Sequence, residues 1–152
     1  MQKNVVLLWI TLTAWFWVLP AASASTLPQL SVAKAATLVD CGRLAADFTY
    51  THTKITAATL VPAGVLANGG QSVEAHCHVT GKMNERQSAV DGQTYAIAFE
   101  MRLPKDWSGR FLYQANGGTD GNVVTADGGA SMGSGGLLRN GLQMGFAVIS
   151  SD

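Results

Sequence analysis

The sequence predicts an α/β fold in which antiparallel edge strands lead into the start of a parallel core, and three features of its 152 residues carry that expectation. Strand-type alternation dominates the middle of the chain, clearest from Tyr95 to Leu103. A glycine-dense stretch then begins at Asn116-Gly117-Gly118. Last comes Phe146-Ala147-Val148-Ile149-Ser150, an unbroken apolar run of the kind a strand shows when both its faces are buried.

Composition narrows the partners. The chain is 47% hydrophobic and 13% charged, which places it among globular proteins, and its length suits one domain. Its formal net charge is zero and no run of Lys or Arg occurs. Nucleic acid and anionic membrane surfaces, which need a basic footprint, are therefore excluded as expected partners.

The first residues predict an export signal. Lys3 supplies a weakly positive start, Val5 to Leu19 is an uncharged apolar run of fifteen residues, and Pro20 precedes Ala22-Ser23-Ala24, a small-x-small cleavage pattern. Cleavage is expected after Ala24, so residues 1–24 are read as signal peptide and 25–152 as the mature part. The run falls short of the roughly 20 residues that span a bilayer, so no stable membrane anchor is expected. Losing Lys3 leaves nine basic residues against ten acidic ones, a net charge of −1. A secreted or periplasmic location follows.

Export bears on the two cysteines. Cys41 and Cys77 are the one pair available, and an oxidising compartment lets them close a loop of 36 residues as a structural disulfide. The alternative is a metal site at His76-Cys77-His78. Adjacent strand residues point to opposite faces, however, so only His76 and His78 share one, and no second ligand cluster exists; no metal and no cofactor are expected.

Taken in order, Ser25 to Ala36 is a small-residue lead. Cys41, Leu44, Ala45 and Phe48 recur at helical spacing, with Asp40 placed to cap the short helix. Thr53 to Val61 alternates in a β-rich composition and ends at Pro62 and Gly64, so it predicts a strand. Asn68-Gly69-Gly70 is a turn, Val73 to Thr80 a second strand, and Gly81 its expected end. Asp91-Gly92 signals a hairpin into Tyr95–Leu103, whose Tyr95, Ile97, Phe99, Met101 and Leu103 share one face, while Ala96, Ala98, Glu100 and Arg102 share the other. Pro104 ends that strand. Arg110 to Gln114 is expected to return beside it as an antiparallel partner across a loop of about six residues.

Asn116 to Gly136 offers little apolar material, and no packed element is expected there. A structureless loop of that length is uncommon unless it serves a site. A short strand breaking into Asn116-Gly117-Gly118-Thr119-Asp120-Gly121 sets unobstructed backbone N–H groups at a sheet edge, where an anion or a developing oxyanion can be held. Leu137 to Met144 is read as a short helix closed by Gly145. The final apolar strand finds no partners left in this reading, so the sheet is expected to be incomplete.

Gly129-Ala130-Ser131-Met132-Gly133 matches the nucleophile pattern G-x-S-x-G but lacks its context. That motif needs a buried strand before the serine and a helix after it, whereas Asp127-Gly128 precedes and Ser134-Gly135-Gly136 follows. No histidine occurs beyond His78 to complete a triad. His52, His76 and His78 are read as surface or strand-face residues. Glu100, Asp120, Asp127 and Asp152 show no spacing that argues a catalytic carboxylate pair, although Asp152 ends a buried strand, where α/β sites gather.

These pieces together resemble the N-terminal part of the tannase and feruloyl esterase family. The likeness is carried by the two cysteines, the second in Glu74-Ala75-His76-Cys77-His78-Val79-Thr80-Gly81, and by Ile97 to Pro104 followed by Trp107-Ser108-Gly109-Arg110-Phe111. The turn Asn116 to Gly121 and the ending Gly145-Phe146-Ala147-Val148-Ile149-Ser150-Ser151-Asp152 complete it. The resemblance implies an α/β-hydrolase catalytic domain, of which residues 25–152 are the N-terminal part, cut before the nucleophile. It implies hydrolysis of carboxylic esters of aromatic acids, a small-molecule aromatic ester as substrate, and a Ser-Asp-His triad lying in later sequence. Residue by residue, it places one oxyanion-hole donor on Gly118, with Gly117 beside it, and pairs Cys41 with Cys77. These 152 residues alone are then expected not to turn over esters. A different class of function, a short exported β-rich binding module facing glycans through the glycine loop and Trp107, is the alternative.

Overall fold

The computed structural model describes residues 31–115, 121–129 and 139–152. Its strands in chain order are β1 (Ala36–Thr37), β2 (Thr53–Val61), β3 (Ala67–Asn68), β4 (Gln71–Ser72), β5 (His76–Gln87), β6 (Thr94–Pro104), β7 (Asp106–Trp107), β8 (Phe111–Gln114) and β9 (Ala147–Ser151). Among the described residues the helical pieces are α1 (Leu44–Asp47) and a 3₁₀ turn at Leu142–Met144. The expected export signal, residues 1–24, lies outside them.

Five strands form one sheet in the order β2-β5-β6-β9-β8, antiparallel except for the parallel pair β8 and β9. The described residues are therefore mostly mixed sheet with little helix, and the expected α/β balance is met only by that single parallel step.

Local chemistry explains the elements that match the sequence. Asp40 Oδ1 accepts the N–H of Gly42 at 2.9 Å and of Arg43 at 3.4 Å, an Asx turn that leads the chain into α1. Gly69 and Gly70 both take positive φ, 58° and 76°, as a two-residue hairpin between β3 and β4 requires. Gly92, φ 71°, serves the β5–β6 turn, where Asp91 Oδ1 accepts the Gln93 N–H at 3.1 Å. Gly145, φ 78°, closes the 3₁₀ turn. That turn opens on a reciprocal cap: Asn140 Oδ1 accepts the Gln143 N–H at 2.9 Å, and Gln143 Oε1 accepts the Asn140 N–H at 3.0 Å.

Three expectations are corrected. Gly81 does not end its strand; β5 begins at His76 and runs through Gly81 to Gln87. Gly81 faces Phe99 across the ladder, and the bare Cα provides the room in which the Phe99 ring lies. Second, β8 does not pair with β6. The final strand β9 lies between them, with Arg102 opposite Val148 on one side and Leu112 opposite Val148 on the other. Third, β9 consequently has neighbours on both edges, contrary to the expectation that it lacks partners. Its apolar run demanded burial, and a slot inside the sheet gives it: Ala147, Val148 and Ser150 are all buried.

The sheet buries a different core on each face. On one, Cys77, Val79 and Phe99 pack with Cys41, and Leu38, Leu44, Met101, Leu103 and Ile149 surround them. Cys41 and Cys77 are joined in a disulfide that fastens the α1 region to β5. On the other, Val148 packs with Val73, Leu142 and Ala126, flanked by Leu66, Leu112 and Phe146. Ala126 belongs to the glycine-rich stretch and is fully buried, so the described part of that stretch is packed, not the unpacked loop expected from its composition.

Candidate functional site

The parallel strands β8 and β9 end side by side. Gln114 is in register with Ser150, and Tyr113 Oη lies 3.1 Å from Ser151 Oγ. At this edge β8 is followed by Ala115, and β9 by Asp152. In open α/β sheets ligands gather in crevices outside the carboxyl ends of parallel strands, and β8 and β9 are the parallel pair here. The two sequence-predicted donors, Gly117 and Gly118, lie outside the described residues, as do Asp120 and Ser131 of the G-x-S-x-G match. Asp152 is exposed and turned back on the sheet: its Oδ1 accepts the Ala98 N–H at 2.9 Å, and its own N–H donates to Ala98 O at 3.2 Å. It prolongs the β6–β9 ladder rather than facing a ligand.

Residues 125–129 are held to the sheet largely by side chains. Gln114 Nε2 donates to Thr125 O at 3.0 Å while Gln114 Oε1 accepts the Gly128 N–H at 2.7 Å. Glu100 Oε1 accepts the Ala126 N–H at 3.0 Å. Asp127 Oδ1 accepts the Gly129 N–H at 2.8 Å, and Asp127 O accepts the Leu142 N–H at 3.0 Å. Gly128 has φ 74° and lies so close to Gly141 that an added Cβ would fall 2.7 Å from its backbone. Glycine is required at 128 on both counts.

Glu100 belongs to a larger polar group that β5 and β6 bring together on the loop-facing side. Arg102 Nε donates to Glu100 Oε1 at 2.7 Å, and Arg102 Nη1 donates to His76 Nε2 at 2.8 Å. Because a guanidinium has no acceptor, His76 Nε2 must accept, and Nδ1–H then donates to Glu74 O at 2.8 Å. The tautomer is thus fixed and the ring is neutral. His78 Nε2 lies 3.3 Å from Glu100 Oε2, within ion-pair distance but without hydrogen-bond alignment.

Both titrating members respond to this setting. Burial lowers the His76 pKa from its ordinary 6.5, and the charge of Arg102 lowers it further. For Glu100, burial is the largest influence and acts upward; the Ala126 N–H and Arg102 together outweigh it and leave the carboxyl below its ordinary 4.5. An ionised Glu100 against a neutral His76 is the resting arrangement.

His76 lies on a face of β5, as one of the two expected readings has it, but it is fully buried, which corrects the surface reading. With Cys77 oxidised and His76 Nε2 occupied by Arg102, the His76-Cys77-His78 trio offers no thiolate, and His76 keeps no free ring nitrogen for a metal. Among the described residues no group of three or more His, Cys, Asp or Glu stands where it could hold one. No helix among them is long and apolar enough to cross a membrane. Glu100, Arg102 and Gln114 were not picked out as site residues from the sequence. The signal available was the pair of charged residues Glu100 and Arg102, two apart on the most strand-like segment, where a solvent-facing row would ordinarily be less buried.

Comparison with known proteins finds likeness both in sequence and in fold. Over 77 residues, 51% of this chain, the sequence is 39% identical to the mono(2-hydroxyethyl) terephthalate hydrolase of Piscinibacter sakaiensis, and the match spans 12% of that protein. An esterase from Aspergillus oryzae, in its crystal structure, superposes with a TM-score of 0.51 and 22% identity over 73% of this chain and 21% of its own. This chain thus spans only a small part of either relative. No protein-family model matches it.

Proposed function

We propose that this chain is the N-terminal part of the catalytic domain of an exported serine carboxylic-ester hydrolase of the tannase and feruloyl esterase type, acting on esters of aromatic acids. The observation that carries the proposal is the parallel pair β8 and β9, whose carboxyl ends lie side by side where the chain enters the glycine-rich sequence that follows Ala115. The similarity to an ester hydrolase over about half the chain supports it.

In this reading residues 25–152 frame one side of the site. Gly118, with Gly117 beside it, supplies a backbone N–H to the oxygen that becomes negative as the ester carbonyl turns tetrahedral. Such a donor stabilises the transition state more than the ground state, because charge develops only there. The serine, acid and histidine of the triad come from sequence beyond this segment. His76 and His78 are not substitutes, since their rings engage Arg102 and Glu100. Export accords with the Cys41–Cys77 disulfide, which persists in oxidising compartments.

The test is expression of the complete protein carrying this chain and assay against methyl ferulate, methyl gallate and mono(2-hydroxyethyl) terephthalate. An aryl phosphonate probe would label its nucleophile in parallel. Turnover of at least one aromatic ester, with labelling that blocks it, is the expected result. Folded protein that binds glycans, is not labelled and turns over none of the three would refute the proposal in favour of a binding module.

A further inference from the structure

The short link between α1 and β2 forms a hollow of about 450 Å³, lined by Phe48, Thr49, Tyr50, Thr51 and Thr53. α1 ends at Phe48, whose backbone is extended at φ −80° and ψ 120° while its N–H closes the helix on Leu44 O at 3.1 Å. Tyr50 to Thr53 is then a tight turn. The Thr53 N–H donates to Tyr50 O at 3.1 Å, and Thr53 Oγ1 donates to Thr51 O at 3.3 Å. His52 takes φ 55° at the third position of that turn, a conformation glycine adopts freely and histidine tolerates better than most side chains. Its carbonyl oxygen accepts the Asn84 N–H from β5 at 2.8 Å. The turn is therefore pinned to the sheet, and its shape is set before any ligand arrives.

Two aromatic side chains stand in solvent at this hollow, Phe48 at 43% and Tyr50 at 73% exposure. One exposed aromatic is ordinary, but two lining one concave surface mark a place where something binds. The lining also limits what that ligand is. None of the five residues is charged, and Asp47, next in the chain, is paired with Arg43 at 3.1 Å. An anion has no partner among them. Thr49, Thr51 and Thr53 instead bring hydroxyls, each able to accept a hydrogen bond and, where not already engaged, to donate one. A sugar ring matches that combination, since it carries an apolar C–H face for the electron-rich face of an aromatic ring, a rim of hydroxyls, and no charge.

We propose that the hollow between Phe48 and Thr53 binds a neutral oligosaccharide, with the Phe48 and Tyr50 rings against sugar faces and the threonine hydroxyls on their rims. The site belongs to the β2 side of the sheet. β2 and β8 are its two outer strands, four strand spacings or roughly 19 Å apart, and the proposal does not depend on the ester-hydrolase reading.

Calorimetric titration of the complete protein with cellohexaose, xylohexaose and maltohexaose tests it. At least one should bind with a Kd between about 10 µM and 1 mM. Tyr50→Ala, which removes one ring, should weaken that binding about tenfold while the Tm stays within about 2 °C, because the side chain is exposed. Thr51→Val keeps the shape, loses the hydroxyl and should weaken binding about threefold. Should Tyr50→Ala fail to fold, Thr51→Val decides. Absence of binding to all three sugars overturns the proposal, as does binding that both variants leave unchanged. So does Tyr50-dependent binding of 4-methylphenol, a neutral aryl probe, without binding of any sugar, which would make the hollow an aryl site.

Discussion

Replacing Gly81 by Ala adds one methyl group at a mid-strand position where β propensity would favour it, yet the mutation should destabilise the fold. The new Cβ would lie 2.2 Å from Phe99 Cζ, 2.5 Å from Phe99 Cε1 and 2.7 Å from the Lys54 carbonyl oxygen. The Phe99 ring is 5% exposed and packed with Val79 and the disulfide, so it has no free direction in which to yield. The Lys54 oxygen is backbone of the neighbouring strand and cannot rotate away. Overpacking of this kind costs about 1–3 kcal/mol. Against it stands the reduced freedom of the unfolded chain when Gly becomes Ala, about 0.4–1 kcal/mol. A net loss of about 1–2 kcal/mol remains. Urea unfolding of the oxidised mature chain, followed by tryptophan fluorescence, should show a lower midpoint at constant slope. Pairing the change with Phe99→Leu should give a double mutant less unstable than the sum of the two, with a coupling of about 0.5–3 kcal/mol, because the shortened side chain vacates the clash. A neutral or stabilising Gly81→Ala would refute the claim that this glycine exists to seat Phe99.

The disulfide closes a loop of 36 residues, for which the chain-entropy model gives roughly 4 kcal/mol; the Cys41→Ala/Cys77→Ala double variant should lose most of that in urea unfolding, and a loss under about 1 kcal/mol would show that the reduced chain already holds α1 against β5. Stability should fall on acidification. His76 and Glu100 both titrate below their ordinary values when folded, so the unfolded chain binds more protons; loss begins below about pH 6.5 as unfolded His76 charges and deepens below about 4.5 through Glu100, and a urea midpoint that rose between pH 8 and pH 4 would contradict this. In the complete protein Gly118→Pro removes a backbone donor and should lower kcat roughly 10²-fold or more, whereas unchanged kcat would place the oxyanion donor elsewhere.

What the sequence disclosed was local. Thr53–Val61 was legible end to end because alternation, β-branched composition and Pro62 agree, and the turns at Gly69-Gly70, Gly92 and Gly145 were legible because each needs a backbone conformation that glycine adopts without cost. The Cys41–Cys77 pairing followed from there being two cysteines in a chain with an export-like start. Gly81 was misread for the same local reason: as a punctuation mark it ends a strand, and only the residue across the ladder, eighteen positions later at Phe99, shows that it is a seat.

The site was hidden by pairings that periodicity does not carry. The reading that joined Arg110–Gln114 to the preceding strand took the shortest connection, which is usually right for two strands separated by six residues. It failed because a later segment had the stronger claim on that edge. Ala147–Ser151 is apolar on both faces, so exposing either of its sides costs more than separating β6 from β8, whose Phe111 and Tyr113 are both 58% exposed and tolerate an edge. Inserting β9 turns β8 into a parallel neighbour, and that one change brings the carboxyl ends of two strands together. It also sets Gln114 opposite Ser150 and Glu100 opposite Ser150 from the other side, which is what lets two distant side chains grip the same four residues of loop. The features that make the edge chemically interesting are therefore consequences of where the most hydrophobic strand had to go.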